Sequence, residues 1–198
     1  MTRPEPATGI TRGRLLWAAG ASAAGALAIG SRRGDGASLA APTGDDADIL
    51  GFFLTLEQVQ EDLYRRAVES GRIDGELREL ATAVAAQERA HVRLLVAHLD
   101  DRTPQRPRTD FGEAVASPKA FLRTAIALEE AAIAGYVGQA GNLGRDQMRS
   151  IARLVSVEAR QVAWLRDLAG LSPAPRAADP ARKAGAVLDE LRAKGWLE

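Results

Sequence analysis

The chain has 198 residues, of which 46% are hydrophobic and 26% charged, with 26 basic and 26 acidic side chains and no cysteine. That length suits one domain with additional segments, and the apolar fraction is enough for a packed core. Without cysteine there are no disulfides, cysteine-ligated zinc ions, iron–sulfur clusters or thiol nucleophiles. Zero net charge argues against nucleic acid as a partner, because a phosphate-binding surface carries a basic excess.

Residues 1–43 read as an export segment and flexible linker, separate from the folded domain. Arg3, Arg12 and Arg14 precede an uncharged run, LLWAAGASAAGALAIG, at 15–30. A basic stretch followed by a short apolar one is the pattern of a signal peptide. The run is too short and too rich in Ala and Gly for a transmembrane helix. Ser38 and Ala40 offer small residues for cleavage before Ala41. The stretch around Arg12-Gly13-Arg14 is similar to a twin-arginine export signal with its second arginine displaced by one, a route that carries folded proteins. A general secretory signal or an uncleaved anchor is the alternative. The expected location is the periplasm, the cell envelope or the outside of the cell. Membrane contact would come only through this segment if it stays attached.

From Asp45 onward the hydrophobic period is helical and no stretch alternates as a strand would. A first helix is predicted over 46–69, with Asp45 or Asp46 as its N-cap and Gly71 just past its end. A second is predicted over 75–99. The short connection between them makes them antiparallel neighbours. Asp101–Ser117, with Pro104 and Pro107, has no helical pattern and reads as a long crossover. A third helix is predicted over 118–139, with Ser117 as N-cap and Pro118 in its first turn. Gly141 to Gly144 break it, and a fourth follows over 145–168. Short, long and short connections describe two antiparallel hairpins joined by a crossover. The fold class is therefore all-α: a four-helix bundle over 44–171, with a proline-containing tail over 172–198 that ends in a short helix at 181–194.

Each long helix carries one glutamate in the middle of its apolar stripe. Glu57 shares a face with Leu50, Phe53 and Tyr64. Glu88 lies with Val84, Val92 and Leu95. Glu129 lies with Leu122, Ala125, Ile126, Ile133 and Tyr136, and Glu158 with Ile151, Leu154, Val155, Val162 and Leu165. Side chains at offsets of three, four and seven share a helix face, so all four carboxyls point into the core. A buried unpaired carboxylate costs several kcal/mol, in a domain with only about 5–15 kcal/mol of net stability. Protonation, a buried cationic side chain or a bound cation could compensate. No Arg or Lys falls on the stripe centres, so a polyvalent cation is the simplest solution. A metal-free core of protonated or solvated carboxyls is the other.

Two further side chains have ligand spacing. His91 is three residues after Glu88, and Gln161 three after Glu158, so each can reach the same point as its glutamate. Tyr64 and Tyr136 are expected to be core residues, or to hydrogen-bond a site carboxylate. Glu61 and Glu130 read as solvated, Glu61 with a supporting role to Glu57 as the alternative. His98 reads as exposed near its helix end, and Trp164 and Trp196 as packing residues. The hairpins also repeat each other: Thr55-Leu56-Glu57 with Tyr64 parallels Ala127-Leu128-Glu129 with Tyr136, and Glu88-x-x-His91 parallels Glu158-x-x-Gln161.

This set of motifs, with Asp110-Phe111-Gly112 in the crossover, resembles the ferritin-like superfamily of carboxylate-bridged di-iron and di-manganese proteins. Within it the chain is similar to exported bacterial ferritin-like proteins related to plant desiccation-linked proteins. The resemblance covers about residues 46–171. It implies that Glu57, Glu88, His91, Glu129 and Glu158 are ligands of iron or manganese. Gln161 departs from the pattern, which has a second histidine there, and a glutamine oxygen is a weaker, neutral ligand for iron. An asymmetric or mononuclear site, one tuned to another metal, or a degenerate one are the alternatives that this departure opens. The implied function is a di-iron or manganese protein that reacts with oxygen or peroxide or handles iron. The alternative is a non-enzymatic envelope bundle, stress-protective or interacting, with a degenerate or absent metal site. Metal ions are the expected partners, with no nucleic acid. The apolar face of the last helix leaves a homo-oligomer open. Iron storage in a shell is disfavoured by the export segment and the tail.

Overall fold

The computed structural model describes residues 44–198, and every regular element among them is helical. The export segment expected over 1–43 lies outside the described residues. Helix α1 spans Gly44–Glu69, α2 Gly75–Leu99, α3 Pro118–Ala140, α4 Arg145–Leu168 and α5 Ala184–Ala193. Two short 3-10 turns, Asp100–Arg102 and Gly112–Val115, interrupt the crossover. The first hairpin is α1–α2 and the second α3–α4. They join chiefly where α1 packs on α3, and α5 packs on α3. No described helix is long and apolar enough to cross a membrane.

The local signals act as their chemistry requires. The Ser117 hydroxyl accepts the Ala120 N–H at 3.2 Å, capping α3 ahead of Pro118. Gly71 ends the first hairpin's turn at φ +66°, a conformation that L side chains rarely adopt. Asp46 behaves differently from expectation. It lies inside α1 rather than capping it, and its Oδ1 accepts the Gly144 N–H at 2.9 Å, tying the start of α1 to the start of α4. A cap is read from local sequence, whereas this bond exists only because the two hairpins meet.

The crossover is strapped to α1. Phe111 is buried beneath it. Arg106 donates to the Gln58 carbonyl and to Glu61, and Arg66 donates to the Thr109 carbonyl. The Thr109 hydroxyl donates to Asp62. These bonds fix α1, which carries the largest share of the site.

The last helix starts three residues later and ends one earlier than expected. Residues 181–183 are extended because the Arg182 N–H bonds the Ala134 carbonyl of α3 at 2.9 Å. This close approach depends on Gly138: a Cβ there would lie 1.9 Å from the Arg182 carbonyl oxygen. Beyond it, Val187, Leu191 and Leu197 are buried against the bundle. Burial of side chains of this size contributes roughly 1.5–3 kcal/mol each, which holds the tail in place.

Candidate metal centre

The bundle core is apolar above and below a band of polar side chains. Phe53 stacks on Tyr136 with ring centroids 4.2 Å apart, and Tyr64 meets Phe121 edge-on at 5.6 Å. These contacts hold the two tyrosine rings so that their hydroxyls point into the band. Within it Glu57, Glu88, Glu129 and Glu158 are all 0% exposed, as is Gln60, while His91 and Gln161 are nearly so. Each helix supplies its side chains from successive turns of one face: Glu57, Gln60 and Tyr64 from α1, Glu88 and His91 from α2, Glu129 and Tyr136 from α3, Glu158 and Gln161 from α4.

One half of the band centres on His91. Its Nδ1 lies 3.0 Å from Glu57 Oε2, 3.1 Å from Glu158 Oε1 and 3.3 Å from Glu88 Oε2. Ligand atoms of these four residues all fall within 4.8 Å of one another. A single ring N–H cannot serve three acceptors, so the three carboxyl oxygens compete for it. The other Glu57 oxygen accepts the Tyr136 hydroxyl.

The other half is held by amides and a phenol. Gln60 Nε2 donates to Glu129 Oε2 at 2.6 Å and to Glu158 Oε2 at 2.9 Å. The Tyr64 hydroxyl donates to Glu129 Oε1 at 2.5 Å. Gln161 Nε2 donates to Glu88 Oε1 at 2.7 Å and Gln87 Oε1 at 3.0 Å, while its own Oε1 is buried and unpartnered.

The electrostatics follow from this wiring. Burial, and then the negative charges of Glu158 and Glu57, push the Glu88 carboxyl well up. Burial and Glu158 do the same to Glu129, and burial and Glu57 raise Glu158. Burial also pushes Glu57 up. The charge of His91 and hydrogen bonds from His91, Glu88 and Tyr136 outweigh it and hold Glu57 below the usual carboxylate value. Burial lowers His91, but the Glu57 charge and bonds to Glu158, Glu57 and Glu88 hold it far above the ordinary imidazole range. Without an ion, the band therefore pairs an imidazolium with the Glu57 carboxylate, among three carboxyls that burial and mutual repulsion make harder to ionise. The two tyrosine hydroxyls stay protonated, raised well above normal by burial and by the glutamate each one touches.

Of the expected ligands, the structure brings Glu57, Glu88, His91 and Glu158 together. Glu129 lies outside that group of four and meets it through Gln60 and through a direct carboxyl–carboxyl hydrogen bond with Glu158, and Gln161 presents an N–H rather than its oxygen. Tyr64 and Tyr136 do hydrogen-bond site carboxylates, each reaching the glutamate of the opposite hairpin. Two glutamates expected in solvent are paired instead. Glu61 is buried under the crossover with Arg106 at 2.8 Å and Arg89 at 3.4 Å. Glu130 pairs with Arg166. His98 is half-buried rather than exposed, with Nδ1 2.8 Å from the Leu94 carbonyl oxygen. Trp164 and Trp196 pack against the core. Gln60 was not anticipated. Its spacing of three from Glu57 matches Glu88–His91 and Glu158–Gln161, and that was the available signal.

A family model for the ferritin-like domain matches residues 45–171, well over half of the chain, and the chain belongs to that family. No curated protein matches it. Ferritin-like domains bind metals such as iron, and the four-residue group here could hold a metal ion. The residues fit one: three buried carboxyl oxygens and an imidazole nitrogen face a common point, with one ring N–H between the three oxygens. Oxygen and imidazole donors of this kind suit iron or manganese.

Proposed function

We propose that the bundle is an exported redox metalloprotein, holding iron or manganese at the His91 centre and reacting with oxygen or peroxide or handling iron. The observation that carries this reading is the convergence of Glu57, Glu88 and Glu158 on His91 Nδ1, three carboxyl oxygens around one ring nitrogen. Glu57, Glu88, His91 and Glu158 would be the ligands. The metal, when bound, supplies the electron transfer. The protein's part is to position and to shield. Tyr136 orients Glu57, Gln161 orients Glu88, and the surrounding apolar core excludes bulk water. Tyr136 also forms part of the wall of an apolar cavity of about 230 Å³, lined otherwise by Val137, Ala140, Met148, Ile151, Ala152 and Val155. Such a lining suits entry of a small apolar molecule such as dioxygen better than entry of an ion. Export is supported by the basic-then-apolar pattern of residues 1–30, and fits a protein without cysteine. N-terminal sequencing of protein recovered from the envelope and culture medium tests it.

Metal analysis is the central test. Full-length protein loaded with iron(II) or manganese(II) and freed of excess is expected to retain metal, and Glu88→Ala is expected to lose it. No metal in the folded wild type would sink the reading. A second reading, a non-enzymatic envelope bundle, is favoured by one observation: amide and phenol donors already satisfy much of the band without an ion. That reading predicts the metal-free result.

A further inference from the structure

The two hairpins are copies in which two positions of the band differ. Glu57 and Tyr64 of α1 correspond to Glu129 and Tyr136 of α3, and Glu88 of α2 to Glu158 of α4. The differences are His91 against Gln161 and Gln60 against Ala132. Gln60 and Ala132 are both fully buried, but only Gln60 brings a donor. Its amide uses both N–H groups to tie Glu129 to Glu158, the two carboxyls that a second ion would have to bridge. Tyr64 occupies the remaining Glu129 oxygen. The Gln60 Oε1 is buried and unpartnered, so both bonds of this amide run through its N–H groups. To admit a second ion, Gln60 would have to release both carboxyls and leave those N–H groups unpaired as well, which is unfavourable. Gln161 would have to break its bonds to Glu88 and Gln87 to turn its oxygen inward.

We propose that this centre takes a single metal ion, on the His91 side, and that the Gln60 amide stands where a second ion would otherwise join Glu129 to Glu158. The inference rests on the metal-binding reading above and narrows it. Glu129 is then a carboxyl clamped by Gln60 and Tyr64 and not a ligand. Gln60 is a positioning residue that keeps Glu158 Oε2 occupied, so that Glu158 Oε1 alone is offered to the ion. A single caged ion exchanges one electron at a time, whereas a bridged pair supplies two. The inference therefore bears on which reactions the centre can support.

The test is stoichiometry with a spectroscopic readout. Full-length wild type, Glu129→Gln, Gln60→Ala and Gln161→His are loaded anaerobically with manganese(II) and freed of excess. They are then compared by metal content per chain and by electron paramagnetic resonance, with circular dichroism as the control for folding. One ion per chain is expected in wild type and Glu129→Gln, each with the six-line spectrum of an isolated manganese(II). Gln161→His alone is expected to stay at one. Gln60→Ala is expected to admit a second ion and to show the broadened spectrum of an exchange-coupled pair. Two ions in wild type, or loss of the ion in folded Glu129→Gln, would overturn the proposal and leave the metalloprotein reading intact. A Gln60→Ala protein that folds and still binds one ion would overturn the role given to Gln60. No ion in any of the four proteins would overturn both readings. If Gln60→Ala does not fold, wild type and Glu129→Gln still decide the count.

Discussion

The first hairpin brings an imidazole to the polar band and the second brings a glutamine, although the two share the placement of their glutamates and tyrosines. On the His91 side one cationic ring N–H faces three carboxyl oxygens at once. On the Gln161 side neutral amides donate to Glu129 and to the second oxygen of Glu88, carboxyls that burial makes hard to ionise. The same buried carboxyl is thus held in two ways, by charge or by hydrogen bonds. Only the first arrangement leaves donor atoms convergent and available.

The largest difference between the halves should appear when each loses its partner. In metal-free protein, His91→Ala removes the cation that faces Glu57 among the described residues and is expected to cost about 3–5 kcal/mol, the usual penalty for breaking a buried pair. Gln161→Ala removes a neutral donor and is expected to cost about 1–3 kcal/mol. Denaturant unfolding of the two variants checks this, and equal losses would mean that His91 is not acting as a cation.

Acid–base behaviour should separate the halves by sign. Glu88, Glu129 and Glu158 bind protons more tightly in the folded chain than at the usual value of 4.5. Their contribution is complete below that pH and is lost as pH rises. His91, raised from 6.5, adds to the loss above that pH. Glu57 is lowered, so its contribution is present above 4.5 and is lost as pH falls. Each such group changes stability by up to about 1.4 kcal/mol per pH unit. Metal-free protein should therefore be most stable in mildly acidic buffer, and Glu129→Gln should flatten the alkaline limb of a melting-temperature profile. Metal retention should run the other way, weakening as pH falls, because His91, Glu88 and Glu158 must shed protons to bind the ion.

The tyrosines give the smallest contrast. Tyr136 donates to the ionised Glu57, so Tyr136→Phe is expected to cost about 1.5–3 kcal/mol. Tyr64 donates to the protonated Glu129, so Tyr64→Phe is expected to cost about 0.5–1.5 kcal/mol. Thermal unfolding of both in metal-free protein measures the difference, and a reversed order would mean the proton sits on Glu57.

Much of this molecule was determined by the sequence alone. Helix bounds follow from local periodicity and from residues such as Ser117, Pro118 and Gly71, which act on their own backbone. The four glutamates were legible because a charge in the middle of an apolar stripe has nowhere else to point. Tyr64 and Tyr136 were half legible, since their spacing placed them on the right face without saying which carboxyl they would meet. Only the tertiary structure decided what each polar side chain is paired with. Gln60 lies in a largely polar stretch, Gln58-Val59-Gln60-Glu61, where its spacing of three from Glu57 places it on the site's face without saying which carboxyls it would clamp. Glu61 found Arg106 and Arg89, and Glu130 found Arg166, across elements distant in sequence. Asp46 left its own helix start for that of α4, and the extended start of the tail was set by the groove at Gly138. A helix forms from contacts four residues apart, so its outline is written locally. Whether a buried carboxyl meets an imidazole, an amide or an ion depends on which helices face each other, and that is fixed only when the two hairpins dock.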